Sequence, residues 1–212
     1  MSTAPRAYDS TGRRAAAART RRQVVEVATR LFAERGWAGT SVRDVAREAG
    51  VAVETVYSAV GSKVALLRAA IEVAVVGDDA EVPLADRAVF RAVAEGDLDA
   101  RLRAGSELLV GIHGRGARVI RALRGGAMSE PELAVLSAEF RAQQIESFAQ
   151  ALGLVARRTV TQREAETLLG LVGEESYLVL TDEFGWSTAE VVDLVATTVV
   201  NVLNLVEEES DG

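Results

Sequence analysis

The 212-residue sequence contains no cysteine and a single histidine, and only 5% of its residues are aromatic. Without cysteine there are no disulfide bonds, no cysteine nucleophile and no thiolate metal ligand, and one histidine alone does not make a metal site of the usual kind. The sequence also lacks a paired nucleophile and base and a phosphate-binding glycine loop after a strand. We therefore expect no metal, no cofactor and no enzymatic activity.

Long hydrophobic runs are also missing, although 49% of the residues are hydrophobic. The first 30 residues contain several arginines and no continuous apolar stretch, so we expect no secretory signal. No apolar run approaches the about 20 residues that are needed to cross a bilayer. These absences predict a cytoplasmic protein that does not associate with membranes.

The charges are divided unevenly along the chain. The net charge is −7, but residues 1–63 carry ten Arg and one Lys against six acidic residues, a net charge of +5, whereas residues 64–212 carry −12. A basic head on an acidic body indicates that the head alone meets a polyanion. A solvated basic tail would give the same asymmetry, so charge leaves both interpretations open.

Apolar residues in the first third recur every three or four positions, which predicts helices. Residues 1–12 have the composition of a disordered tail, and residues 13–76 form a head of three helices and a connecting helix. Thr20 and Gln23 have the spacing of a helix-capping box, and Gly36 ends the first helix.

Residues 77–83 are acidic and turn-like and are predicted to link the head to a larger body at 84–212. Strand-like alternation is not sustained anywhere, so the predicted fold class is all-α. Pro131 fits the first turn of a helix. The predicted body helices cover residues 84–94, 98–112, 115–128, 131–152, 163–182 and 187–207.

Residues 41–58 have the layout of a helix-turn-helix. Two short helices meet across Ala49-Gly50-Val51, with the glycine where the chain bends sharply, and Thr40 or Ser41 can cap the first of them. In such a motif the second helix protrudes into the major groove of DNA, about 12 Å wide, while the first rests on the backbone.

The stretch from 21 to 68 resembles the head of TetR (tetracycline repressor) family regulators. The matching residues are Ala28, Leu31-Phe32, Gly36, Thr40-Ser41-Val42, Asp44-Val45-Ala46, Ala49-Gly50-Val51, Thr55-Val56-Tyr57, Ser62-Lys63 and Leu66-Leu67. Gly77-Asp78-Asp79 and Val82-Pro83-Leu84 are similar to an actinobacterial subgroup. The resemblance implies a homodimer with a ligand-binding and dimerisation body, whose recognition helices enter successive major grooves of a near-palindromic operator.

The resemblance also assigns roles within the head. Thr40 and Ser41 cap the first short helix, Tyr57 and Lys63 contact phosphates, and the arginines before helix one reach a minor groove. Tyr57 has an alternative role as a partly buried aromatic that braces helix one. The full set of implied DNA contacts is Thr40, Ser41, Arg43, Val53, Glu54, Thr55, Tyr57, Ser58, Lys63, Arg13, Arg14 and Arg19.

The recognition helix departs from the family pattern at its start and end. Ala52 stands where a capping serine is usual, and Val60 stands where an aromatic is usual. The helix contains no Arg or Lys, so we expect base contacts through methyl and hydroxyl groups. Affinity then comes mostly from phosphate contacts, which predicts strong salt dependence and a uniform loss of affinity in Lys63→Ala.

The last helix carries two adjacent apolar stripes, which make a face too wide for an ordinary surface helix. A second subunit would cover such a face, although a fully buried central helix would also explain it. The predicted dimer interface consists of Leu168, Leu169, Val172, Val191, Val195, Thr198, Val202 and Leu205.

His113, in a glycine-rich stretch that predicts a helix break, is either a polar anchor in a ligand pocket or a helix-end histidine with a backbone partner. The predicted pocket for a small-molecule effector consists of Ile112, His113, Leu123, Phe140, Gln144, Phe148 and Tyr177. The resemblance thus favours a repressor that an effector releases from DNA. An effector-independent DNA-binding protein and a helix-turn-helix protein that acts through protein partners remain alternatives.

Overall fold

A computed structural model of the chain describes residues 10–77 and 92–205, and within these ranges the protein contains helices and no strand. This confirms the predicted fold class. Residues 1–9 and 78–91 lie outside the described ranges. The second of these segments contains most of the predicted linker and of the predicted first body helix. The helices are α1 (Ser10–Arg35), α2 (Val42–Glu48), α3 (Val53–Ala59), α4 (Lys63–Val76), α5 (Leu98–Ala127), α6 (Pro131–Ala156), α7 (Gln162–Val172), α8 (Glu174–Leu178) and α9 (Thr188–Leu203), with a π-helical turn at Val179–Glu183.

Glycines end the first two helices of the head. Gly36 and Gly50 have φ angles of +68° and +65°, a left-handed conformation that glycine adopts at little cost. Ser41 then begins α2 by accepting a hydrogen bond from the Asp44 amide, which satisfies an amide that has no partner within the helix.

Helix α1 begins earlier than the sequence predicts. It starts at Ser10 rather than Arg13, so Thr20 lies inside the helix, where its hydroxyl donates to the Ala16 carbonyl. The predicted capping box of Thr20 and Gln23 is therefore wrong, because amides inside a helix already have carbonyl partners.

Helix α5 is one helix of 30 residues, although its glycine-rich stretch predicts a break near His113. A Cβ on Gly114 would lie 3.3 Å from the Tyr177 hydroxyl oxygen, and a Cβ on Gly116 would lie 3.6 Å from the Ala74 Cβ. Neighbouring helices pack closely at these positions, and that packing offsets the intrinsic helix cost of glycine, about 1 kcal/mol each. The predicted helix end at His113 is wrong.

The segment predicted as one helix at 163–182 is two helices with a break at Gly173. A Cβ on Gly173 would lie 2.3 Å from the Leu169 carbonyl oxygen, so a larger residue does not fit without a backbone shift. Helix α8 begins at the next residue, Glu174, which is buried. This break places a carboxylate inside the body.

Two hydrophobic clusters form the core, and α5 belongs to both. The head cluster combines α1–α4 with Val119, Ile120 and Leu123 of α5 and with Leu133 and Leu136 of α6. The body cluster combines Leu102 and Val110 of the same helix with residues of α6–α9. Helix α5 therefore connects the head rigidly to the body. Within the described ranges no helix is both long and apolar enough to cross a membrane.

Candidate nucleic-acid interface and ligand cavity

The helix-turn-helix formed by α2 and α3 is attached to α1 through its helix ends. Gln23 Nε2 donates a 2.9 Å hydrogen bond to the Ala49 carbonyl at the end of α2, and Arg21 donates a 3.5 Å bond to the Ala59 carbonyl at the end of α3. Terminal carbonyls have no partner within their own helix, so these bonds satisfy them. The buried side chain of Val56 packs α3 against the head cluster. The recognition helix is thereby held at one angle.

Helix α3 presents an exposed face on its outer side. Glu54, Tyr57 and Ser58, spaced at i, i+3 and i+4, are exposed, while Val53 and Thr55 are half-buried beside them. The accessible fraction of Tyr57 is 55%, so its phosphate contact and its alternative role as a partly buried brace both stay predictions. A protruding helix held rigidly from behind has the geometry that reading a major groove requires.

Thr40 and Ser41 have different surroundings. Ser41 caps α2, and the hydrogen bond from its hydroxyl lowers the pKa of Asp44. Thr40 is buried, and its hydroxyl lies 3.1 Å from the Leu31 carbonyl oxygen and 2.9 Å from that of Gly36. The prediction that Thr40 helps to cap α2 is wrong, because its hydroxyl serves the end of α1 instead.

Lys63, a predicted phosphate contact, has a partner within the head. Its Nζ donates a 2.6 Å hydrogen bond to the Trp37 carbonyl. Burial lowers the pKa of Lys63, and the charge of Glu130 opposes that effect. The phosphate contact stays a prediction, in which the ammonium group bridges the Trp37 carbonyl and the DNA backbone through its remaining hydrogens.

The other predicted basic contacts are exposed. Arg43 lies on the outer side of α2. Arg13, Arg14 and Arg19 lie within the first turns of α1 and not before it, so the predicted geometry of an arm ahead of helix one is wrong. These side chains extend from a helix, and their approach to a groove stays a prediction.

The body contains a cavity of ≈ 270 Å³ bounded mainly by α5 and α6, with α9 and the end of α4 completing the wall. Ile112, His113, Phe140, Gln144 and Phe148 line this cavity, and the structure thus brings together five members of the predicted pocket. The other two lie elsewhere. Leu123 belongs to the head cluster, and Tyr177 packs against His113 with their ring centroids 5.8 Å apart.

His113 is 1% exposed, and neither of its ring nitrogens has a hydrogen-bond partner. The alternative of a helix-end histidine with a backbone partner is wrong, because the residue lies in the middle of α5, where carbonyls bond to amides one turn ahead. Burial lowers the pKa of His113 to about 4; the nearby carboxylate of Glu174 opposes this shift and Arg124 adds to it. The imidazole is neutral near pH 7.

Glu174 is a buried carboxylate that sequence reasoning missed. Arg124 donates a 3.0 Å hydrogen bond to one of its oxygens, and the Gln144 side-chain amide donates to the other. Burial raises the pKa of Glu174, but the Arg124 charge and these hydrogen bonds outweigh burial and leave the pKa below its ordinary value. In sequence, Glu174 and Glu175 resemble an ordinary solvated helix start, so no signal pointed to the cavity.

Helix α4, which leads out of the head, is in contact with the cavity and with α5. Val75 forms part of the cavity wall. Arg115 of α5 donates hydrogen bonds to the carbonyls of Ala74 (3.2 Å) and Val75 (3.4 Å) at the end of α4. Arg115 lies less than one turn from His113, so a change at the cavity has a short physical route to the head.

The predicted dimer interface divides into two groups. Five of its members are at most 6% exposed within a single chain, and this part of the prediction is wrong because they are buried in the body of their own chain: Leu168, Leu169, Val172, Val191 and Val195. Thr198 and Val202 of α9, and Leu205, which follows that helix, are half-buried. Leu171 of α7 is 52% exposed.

In residues 10–77 and 92–205, no group of three or more His, Asp or Glu side chains is arranged to hold a metal ion. The polar side chains described above are therefore single hydrogen-bonding groups rather than the ligands of a metal ion.

Residues 24–70 match the family model described as bacterial regulatory proteins, tetR family. No curated protein matches the sequence. The matched segment covers the helix-turn-helix and most of α4, and it stops before the cavity.

Solved structures match most of the chain. A protein of Rhodococcus sp., assigned to the TetR family of transcriptional regulators, has a TM-score of 0.65 and 21% identity, over 87% of this chain and 98% of that chain. A protein of Saccharomonospora viridis, described as a transcriptional regulator and solved in complex with choline, has a TM-score of 0.62 and 22% identity, over 87% of this chain and 96% of that chain. At these identities the shared property is the fold. Residues 24–70 thus match the N-terminal model of that family, and over most of its length the chain shares the fold of these solved structures.

Proposed function

We propose that this chain is a transcriptional regulator of the TetR family that acts as a homodimer in the cytoplasm, as a repressor that a small molecule releases from a near-palindromic operator. The observation that carries this proposal is the exposed face of α3 on a helix-turn-helix clamped to α1. Its exposed side chains, Glu54, Tyr57 and Ser58, would face the DNA.

The charge distribution supports DNA as the partner of the head. Residues 1–63 have a net charge of +5 while the rest of the chain is acidic, which orients the head toward phosphates and the body away from them. In a dimer, the two α3 helices would enter major grooves about 34–36 Å apart, one turn of the double helix.

A second copy of the chain would cover the outer side of α7 and α9. Leu171 of α7 is 52% exposed, and Thr198 and Val202 of α9 are half-buried. Apolar and small side chains on two adjacent helices suit packing against the same helices of a partner related by two-fold symmetry.

The cavity supports control by a small molecule. Its wall includes Val75 of α4, and Arg115 of α5 holds the end of the same helix. A ligand that fits only one position of α4 would change the spacing of the recognition helices, and a coupling of about 1–3 kcal/mol is typical of such regulation. A ligand that bound both positions equally would shift nothing. The Saccharomonospora viridis neighbour, solved with choline, agrees with ligand binding in this fold.

Selection of bound duplexes from a random pool tests the DNA half of the proposal. The protein should enrich a near-palindromic sequence at low salt, and Tyr57→Ala should lose that enrichment. Gln150→Ala, on the exposed side of α6, is the matched control and should behave as the unaltered chain. Failure to hold any duplex above background at low ionic strength would contradict the proposal.

A screen on the selected operator tests the regulatory half. Compounds that abolish binding should lose their effect in Ala151→Leu, which places two further apolar branches at the cavity wall. An operator complex that no cavity-binding compound weakens would favour an effector-independent DNA-binding protein.

A further inference from the structure

His113 stands out among the described residues because both of its ring nitrogens are buried without a partner. Buried polar atoms are almost always hydrogen-bonded, and an exception needs a physical explanation. The residue lines the cavity, so the missing partner has a place to bind.

The remainder of the cavity wall offers mainly apolar contacts. Leu109, Ile112, Phe140, Phe148 and Leu152 are among its apolar side chains, and the polar side chains of Ser106, Gln143 and Ser147 also line it. The volume of ≈ 270 Å³ lies just below the range of about 300–1,000 Å³ that is usual for pockets of drug-sized ligands. The occupant is therefore small and mostly hydrophobic.

The one carboxylate at the wall is not available to a cationic ligand. Arg124 and Gln144 each occupy one oxygen of Glu174. A quaternary ammonium ion would need an unpaired carboxylate or a cage of aromatic rings, and Phe140 and Phe148 are the aromatic side chains among the described lining residues. The cavity differs in this respect from what a choline-like ligand requires.

A carboxylate ligand is disfavoured as well. Arg124 already neutralises Glu174, and His113 is neutral near pH 7 because it is buried. An anion in the cavity would find no Lys or Arg among the described lining residues, and an unpaired charge in an apolar site is strongly unfavourable.

We propose that the cavity binds an uncharged, mainly apolar molecule that carries a hydroxyl group, and that this hydroxyl pairs with a ring nitrogen of His113. The neutral imidazole has one donor and one acceptor nitrogen, and a hydroxyl can both donate and accept. A hydroxyl therefore satisfies the nitrogen that faces the cavity in either tautomer. This inference rests on the proposed function only in taking the molecule as the effector.

Equilibrium dialysis of the purified full chain tests the ligand class with four probes. 1-Naphthol and naphthalene are uncharged and similar in size, 1-naphthoate is an anion and choline is a cation. We expect 1-naphthol to bind about tenfold more tightly than naphthalene, because a site built to hydrogen-bond a hydroxyl discriminates against an analogue without it. Naphthoate and choline should bind more weakly than 1-naphthol.

Two variants assign the preference to His113. In His113→Phe the ring remains and the nitrogens are lost, so the preference for 1-naphthol over naphthalene should disappear while naphthalene still binds. Phe148→Leu is the matched control at the same wall; it should weaken both neutral probes by a similar factor and leave their ratio unchanged. If His113→Phe does not fold, the ratio of the affinities for 1-naphthol and naphthalene in the unaltered chain still tests the ligand class.

The proposal is overturned if choline or 1-naphthoate binds most tightly, if neither neutral probe binds up to its solubility, or if His113→Phe keeps the preference. Operator binding is measured separately on the same preparations. A chain that prefers 1-naphthol but holds no duplex would contradict the proposed function alone. A chain that holds the operator but prefers a charged probe would contradict the ligand class alone.

Discussion

The ammonium nitrogen of Lys63 lies 3.8 Å from the centre of the Trp37 ring and also donates a hydrogen bond to the Trp37 carbonyl. Trp37 in turn stacks on Phe32, with ring centroids 6.0 Å apart. The first residue of α4 is thus tied to the turn that follows α1, and a side chain predicted to meet DNA also stabilises the head.

Lys63→Ala should consequently have two effects. Loss of the cation–π contact and hydrogen bond should lower the free energy of unfolding by about 1 kcal/mol. Loss of the predicted phosphate contact in each subunit should also lower affinity alike for all duplexes, and the slope of log affinity against log salt should decrease by about 2 for the dimer. Thermal unfolding and fluorescence titration at several salt concentrations measure these effects. Arg68→Ala, on an exposed part of the same helix, controls for loss of one positive charge.

Gly126→Ala should destabilise the protein. A Cβ there would lie 2.4 Å from Leu133 Cδ1 and 2.8 Å from Trp37 Cγ, so the head and the body would have to separate slightly, at a cost of about 1–3 kcal/mol. The adjacent Gly125 has nothing within 4 Å of its Cβ position. Gly125→Ala should therefore leave stability unchanged or raise it by up to about 1 kcal/mol. Equal denaturation midpoints for the two variants would argue against this packing.

Thr40→Val and Tyr57→Ala should separate folding from DNA binding. Thr40 is buried and bonded to the end of α1, so the valine variant should lose about 1–2 kcal/mol of stability. Tyr57 is largely exposed, so the alanine variant should keep its stability and lose affinity for the operator. A Tyr57→Ala protein with unchanged operator affinity would remove Tyr57 from the interface.

The pH dependence of stability should reveal His113. Its pKa is lowered from 6.5 to about 4 in the folded protein by burial, with Glu174 and Arg124 as the charged neighbours. Below pH 6.5 the unfolded chain binds a proton at His113 that the folded chain does not bind. The free energy of unfolding therefore keeps its full value above pH 6.5 and decreases as the pH falls toward 4. The difference corresponds to roughly 3 kcal/mol.

His113→Phe should remove that pH-dependent loss and raise the free energy of unfolding at pH 7 by about 1–3 kcal/mol, because two unpaired nitrogens leave the core. Urea denaturation of both proteins between pH 4 and 8 measures the difference. A variant less stable than the parent at pH 7 would show that the imidazole has a structural partner.

Leu171→Glu should convert the proposed dimer to monomer. The residue is 52% exposed on α7, so a carboxylate is tolerated in the single chain but not in an apolar interface. Sedimentation velocity reports the change, and far-UV circular dichroism checks that the helices persist. Val135→Glu, at a 60% exposed apolar residue of α6, is the control and should leave the assembly unchanged.

The head was predictable because its signals are local. Gly36, Gly50 and the cap at Ser41 each specify a helix end through backbone conformation or a single hydrogen bond. The apolar spacing around Val24, Leu31 and Val56 then specifies which faces meet, and all three are buried.

The body was less predictable because its signals depend on distant partners. Gly114 and Gly116 resemble helix breakers until Tyr177 and Ala74 are placed against them. The apolar stripe at Val191 and Val195 has the pattern of an intersubunit surface as much as of a core, and only the positions of α5 and α7, which pack against α9, decide between them.

Charged residues of the body gave no local signal either. Arg118, Arg121 and Arg124 share one spacing, yet Arg118 pairs with Asp182 while Arg124 reaches the buried Glu174. Their environments follow from where α8 returns to α5, which is a property of the tertiary fold.

Because α5 contributes to both hydrophobic clusters, a graft of the DNA reader onto another sensor at residue 77 would leave the head cluster incomplete. A chimaera joined there would lose Val119, Ile120 and Leu123 from the cluster that contains Leu31, Phe32 and Leu67. Engineering of a biosensor from this chain has to transplant the α5 and α6 residues of that cluster together with the reader, or redesign the surface left bare by their removal.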